Sequence, residues 1–131
     1  MRQMDTRSQI ARVRGLGSAK EGVQHWWVQR LTALALVPLS VWFVAGLVAL
    51  TGASHAEAAA WIGHPLNATL MILTLGLTFH HAQLGLQVVI EDYVHAEGSK
   101  LALLILVKLL ALALAVAGAL AVLRLMTGGM P

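Results

Sequence analysis

Cysteine is absent from this chain. That removes disulfides and every thiolate-held zinc or iron–sulfur site, and leaves histidine as the strong soft-metal ligand besides methionine. Charge is scarce as well: Asp, Glu, Lys and Arg make up 11% of the 131 residues, whereas 58% are hydrophobic and the mean hydropathy is +0.75. A soluble domain of this size needs a charged shell around one small core, so the composition describes a membrane protein. Basic charge is confined. Of the nine Lys and Arg residues, Arg2, Arg7, Arg12, Arg14, Lys20 and Arg30 fall in the first thirty positions. That asymmetry reads as membrane topology and excludes a nucleic-acid-binding surface. The chain also has no internal repeat and no flavin- or nucleotide-binding loop.

Three stretches are long and apolar enough to read as spans, each close to the roughly 20 residues that cross about 30 Å of hydrocarbon. Residues 31–50 carry no charge, 66–90 carry only His80 and His81 as ionisable groups, and 101–123 carry only Lys108. The connection 51–65 has no Lys or Arg, so the positive-inside rule puts the N-terminus in the cytoplasm, or in the matrix if the protein is organellar. The predicted organisation is a basic cytoplasmic tail and interfacial segment over 1–30, helix one over 31–50, and a periplasmic loop over 51–65. Helix two over 66–90, a cytoplasmic loop over 91–100, helix three over 101–123 and a periplasmic tail over 124–131 follow. Asp5 and Glu21 interrupt the acid-poor pattern of a transit peptide, and no apolar stretch with a small-residue cleavage site occurs, so the tail is expected to be retained. Trp26 and Trp27 read as headgroup-level anchors, and Pro38 as a tolerated kink. Lys108 reads as snorkelling toward the inner interface, or as a partner of a propionate or lipid phosphate, and Arg124 as an outer-surface anchor.

The histidine pair is the chemical signal. An intramembrane imidazole is by default a ligand, a proton carrier or a partner-bonding group. At 3.6 residues per turn His81, Gly85, Val88 and Asp92 share one face to within about 40°. His81 lies nine residues before Ile90, roughly 14 Å by helical rise and so near the bilayer midplane. Gly85 removes a side chain one turn away, where a planar cofactor or a second helix can approach, and Thr74 and Thr78 lie on the same side. Three readings fit that face: haem ligation, a hydrogen bond to a neighbouring helix, and a proton relay. His80 points about 100° away, toward Leu84, Gln87 and Glu91, so one haem would not use both. His25, His55, His64 and His95 are read as solvated or interfacial.

The string HHAQLGLQVVIEDYVH, residues 80–95, resembles the second helix of the succinate dehydrogenase (complex II) hydrophobic membrane anchor, a cytochrome b-type anchor and the smaller of that complex's two. In that family a histidine is followed by a small-residue notch one turn on, by Gln-Val, and by Asp-Tyr eleven and twelve residues later. His81, Gly85, Gln87-Val88 and Asp92-Tyr93 stand in that register. The run GVQHWWVQRLTA, residues 22–33, is similar to the family's lead-in to helix one, where a glycine precedes an arginine by eight residues, as Gly22 precedes Arg30.

The resemblance implies an all-α membrane protein of three transmembrane helices, N-terminus cytoplasmic, packed against a second three-helix anchor of the cytochrome b556 type. It implies that His81 is one axial ligand of haem b iron, the other coming from the companion anchor, with His80 the competing choice. Tyr93 corresponds to the tyrosine that hydrogen-bonds a ubiquinone carbonyl, Asp92 to the acid that orders or protonates that site, and Arg30 to an arginine near the haem propionates and the quinone pocket. Arg30 at the start of helix one and Asp92-Tyr93 at the end of helix two are expected to lie on the same inner leaflet. FAD and iron–sulfur clusters belong to the flavoprotein and iron–sulfur partner subunits, and no independent catalysis is expected. The expected location is the bacterial inner membrane, multi-pass, with the mitochondrial inner membrane as the other setting. A fumarate reductase-type anchor and a small proton-relay or transporter subunit using His80, His81 and Asp92 are the alternatives.

Overall fold

The computed structural model describes residues 18–128, which form four helices. They are α1 Ser18–Ala49, α2 His55–Gly63, α3 Pro65–Tyr93 and α4 Glu97–Met126. Arg2, Arg7, Arg12 and Arg14 of the basic tail lie outside the described residues. Two helices, α1 and α4, are long and apolar enough to cross a membrane, and the bent pair α2–α3 makes a third if it counts as one span.

Helix boundaries run past the hydropathy boundaries because hydropathy marks the hydrocarbon and not the hydrogen-bonded backbone. α1 begins at Ser18, about three and a half turns before residue 31, so part of the segment read as a tail is helical. Pro38 lies within α1 without ending it. At the other end of α1, Gly52 takes φ 81°, a conformation that costs glycine little, and reverses the chain.

The connection 51–65 contains a helix, where the sequence reading has a loop. Ser54 caps α2 with its hydroxyl accepting from the Glu57 N–H at 3.3 Å, and the Glu57 carboxylate accepts from the Ser54 N–H and hydroxyl at 2.7 Å each. This capping box satisfies N-terminal donors that otherwise lack partners. The Ser54 backbone N–H, and then its hydroxyl, hold the Glu57 carboxyl below the ordinary glutamate value. Pro65 at the start of α3 disfavours helical geometry at His64, which takes φ −62°, ψ 132°, and the two helices meet at 84°.

α3 is the central helix. α1 packs on it from one side and α4 from the other, while α1 and α4 do not pack against each other. Small residues set the close approaches: a Cβ at Gly118 would come 2.9 Å from Leu75 Cδ1, and one at Gly63 would come 2.7 Å from the Leu125 carbonyl oxygen. Among the described residues the buried hydrophobic ones are Ala68, Leu84, Ile90 and Val122, joined by the polar Thr32 and Gln83. Large apolar side chains from Leu31 to Leu123 stay exposed, as expected of helices whose solvent is lipid or another subunit's helices.

Candidate functional site: a cleft between α1 and α3

The antiparallel pairing of α1 with α3 opens a cleft of about 590 Å³. From α1 it is lined by Gly22, His25, Trp26, Gln29, Arg30 and Ala33, and from α3 by His81, Gly85 and Val88. The spacing explains the convergence: positions 22, 25/26, 29/30 and 33 recur every three to four residues on one face of α1, and 81, 85 and 88 do the same on α3.

One hydrogen bond fixes the register. Thr32 Oγ1 lies 2.9 Å from His81 Nδ1, and also 2.8 Å from Val28 O and 3.0 Å from Gln29 O. A threonine hydroxyl has a single proton, and the helical carbonyls three and four residues back take it. With that proton on a backbone carbonyl the hydroxyl oxygen is left to accept from His81, which suits the tautomer with the proton on Nδ1 and the lone pair on Nε2. A donated second nitrogen is the arrangement that orients a metal-ligating histidine. Among the described residues no group of three or more His, Cys, Asp or Glu side chains is placed to hold a metal ion.

Arg30 lines the same cleft, with its guanidinium over the Trp26 face, 5.2 Å from the ring centroid. This cation–π contact joins two exposed residues one turn apart on α1. Gly85 leaves the floor open: a Cβ there would meet only Gln29 Nε2, at 3.7 Å.

His80 is elsewhere. It lines a smaller cleft of about 190 Å³ between α3 and α4, with Gly76, Gln83 and Lys108 among its neighbours. Lys108, exposed on α4, lines that cleft from the other side. Along the same side of α3, Gln83 Nε2 donates to Gln87 Oε1 at 3.2 Å, and Gln87 Nε2 donates to Glu91 Oε1 at 2.8 Å.

Asp92 and Tyr93 do not line the cleft. Both are exposed at the end of α3, Tyr93 by 78%. The register sets Arg30 apart from them along α3: Thr32 faces His81 and Gln29 faces Gly85, so Arg30 stands opposite the turn around Gln83. Tyr93 is ten residues farther, about 15 Å along α3. The sequence reading tied Arg30 to the start of helix one, but α1 extends twelve residues before it.

Thr74 and Thr78 line no part of the cleft, and Thr74 donates to its own helix at Leu70 O, 2.7 Å away. Of the four histidines read as solvated or interfacial, His55, His64 and His95 are exposed. His25 is not: it is half-buried in the cleft, and its Nε2 is enclosed without a hydrogen-bond partner. Sequence reasoning passed over His25, Gln29 and Thr32, although their spacing of four and three places them on the face of α1 that carries Gly22 and Ala33.

A family model described as succinate dehydrogenase/fumarate reductase transmembrane subunit matches residues 4–117. The chain is 37% identical over 106 residues to the succinate dehydrogenase hydrophobic membrane anchor subunit of Rickettsia bellii, covering 80% of this chain and 84% of that one. It is 32% identical over 90 residues to the corresponding subunit of Paracoccus denitrificans, covering 69% and 70%. With the succinate dehydrogenase membrane anchor subunit of Reclinomonas americana it shares 26% over 96 residues, 71% and 80% of the two chains. No solved structure matches. With an all-helical, lipid-exposed architecture and a match over most of its length, the chain belongs to the family of succinate dehydrogenase/fumarate reductase transmembrane subunits.

Proposed function

We propose that this chain is a multi-pass anchor of a succinate:ubiquinone oxidoreductase in the bacterial inner membrane, with its N-terminus cytoplasmic. It holds the flavoprotein and iron–sulfur subunits to the membrane together with a companion three-helix anchor of the cytochrome b556 type. It contributes one axial ligand of a shared haem b, His81, and part of a ubiquinone-reducing site, and it performs no catalysis alone. The observation that carries this reading is the Thr32–His81 hydrogen bond inside a cleft that also holds Arg30 and Gly85.

The donor set suits haem b. An iron ligand needs an unprotonated nitrogen, which the Thr32 contact leaves at Nε2; a porphyrin needs a flat approach, which Gly85 leaves open; and its carboxylates need a cation, which Arg30 supplies. When bound, haem b supplies one-electron redox chemistry at mid-membrane depth. The chain's own residues orient it, and its apolar helices exclude water from around it.

The quinone role falls to the end of α3. Tyr93 offers a phenolic donor to a quinone carbonyl, and Asp92 beside it is an acid exposed where protons are available. Their exposure in the isolated chain suits a pocket that a companion subunit completes. A proton-relay role is less well supported, because His80 and His81 line separate clefts and Asp92 lines neither. The relatives carry succinate dehydrogenase names, which favours succinate oxidation over a fumarate reductase-type anchor.

The test is the absorption spectrum of the complex purified from membranes with its co-purifying subunits. A sharp reduced alpha band of low-spin haem that disappears in His81→Ala supports the reading. A wild-type complex without that band, or one that keeps it in His81→Ala, overturns the haem role.

A further inference from the structure

Lys108 has no part in the proposal above, yet it is the one charged side chain between residues 101 and 123. It lies seven residues past Leu101, about 10 Å by helical rise, and so within the hydrocarbon. Across the cleft of about 190 Å³ stand His80 and Gln83 of α3, while Gly76, Ala111 and Ala115 leave room between the helices. No acidic side chain lines that cleft. Charged groups inside a membrane are paired as a rule, because an ammonium stripped of water is costly to leave alone.

The nearer sources of negative charge do not reach it. Glu91 Oε1 already accepts from Gln87 Nε2 at 2.8 Å, and it lies about 12 Å along α3 from Gln83. The occupant of the α1–α3 cleft is on the other side of α3. A phospholipid phosphate sits at the headgroup level, about 10 Å above. A second copy of this chain brings no acid to this depth either, since residues 31–50, 66–90 and 101–123 contain no Asp or Glu. The complementary charge therefore comes from a different chain. A carboxylate suits the space: it has two acceptor oxygens, and donors stand on opposite walls, the Lys108 ammonium on α4 and an N–H of His80 on α3.

We infer that Lys108 pairs with an Asp or Glu side chain on a membrane-spanning helix of another subunit, and that the α3–α4 cleft is where that helix docks. The inference rests on the reading of this chain as one subunit of a membrane complex, and not on its haem.

The test is carbodiimide coupling in the purified whole complex held in lipid nanodiscs. An apolar carbodiimide enters the hydrocarbon and activates a carboxyl group; an amine in contact with it then displaces the urea and forms an amide. In the wild type, mass spectrometry should find Lys108 joined to an Asp or Glu within a membrane span of a co-purifying chain. Lys108→Arg, which keeps the cation but does not form that amide, should lose the link and keep that chain bound. Lys108→Met, which keeps an unbranched stem without charge, should weaken retention of that chain on detergent dilution roughly three- to twentyfold. A Lys108 that stays a free amine, or is joined to a lipid or to this chain's own Glu91 or Glu97, overturns the inference, and so does wild-type retention in Lys108→Met. If Lys108→Met does not insert, the wild-type coupling product still decides. Failure of the subunit reading looks different: the chain then purifies without any other membrane-spanning chain.

Discussion

His80 and His81 are neighbours in the chain and face different clefts, His81 toward α1 and His80 toward α4 and Lys108. The roughly 100° turn between consecutive helical residues separates them, and the packing of α3 between two helices gives each its own surroundings. His81→Ala should therefore abolish or strongly perturb the low-spin haem spectrum while His80→Ala leaves it largely intact, as read by reduced-minus-oxidised absorption. The opposite pattern transfers the ligand role to His80.

Thr32 is the next test. Thr32→Val keeps the shape and removes the hydroxyl, so His81 Nδ1–H loses its acceptor and the ring its orientation. Outer partners of metal ligands contribute about 10–100-fold in affinity, and haem retention in the purified complex should fall by that order. Wild-type haem content and spectrum would remove Thr32 from the site.

Tyr93→Phe deletes one hydroxyl on a side chain that is 78% exposed in this chain, so the fold should be untouched. A lost hydrogen bond to quinone costs about 1–3 kcal/mol. Quinone reduction should drop while succinate oxidation with a soluble artificial dye persists. Equal loss of both activities points to failed assembly, and full quinone reduction excludes Tyr93.

Arg30→Lys separates charge from shape. A residue that only sets topology tolerates lysine, whereas a planar guanidinium over Trp26 offers forked donors that an ammonium does not reproduce. Haem midpoint potential and quinone reduction are the readouts, with insertion confirmed. Wild-type values for both would leave Arg30 as a topology determinant.

Gly46→Ala tests the packing of α2 on α1. A Cβ there would come 2.5 Å from Trp61 Cη2, and that ring is stacked on Trp42 with centroids 5.6 Å apart. A rigid ring already stacked on Trp42 cannot yield cheaply, so overpacking should cost about 1–3 kcal/mol and lower the thermal midpoint of the anchor. An unchanged midpoint would show that α2 moves freely on α1.

The membrane class, the helical architecture and the face of α3 that carries His81, Gly85 and Val88 were legible in the sequence, because hydropathy and the 3.6-residue period are local properties. Residues 51–65 were harder: without basic charge they read as a loop, although Ser54, Glu57 and Pro65 hold the cap and the break that make α2 a separate helix. What no local pattern contains is the pairing of one helix with another. Which residue of α1 stands opposite His81 depends on how side chains along both helices interlock, and that set Thr32 against His81 and drew Arg30 about 15 Å away from Tyr93. The same register brought His25 to the cleft wall. The helical period fixes which side chains share a face along each helix, and the interlocking of the helices sets which faces turn inward and which residues meet.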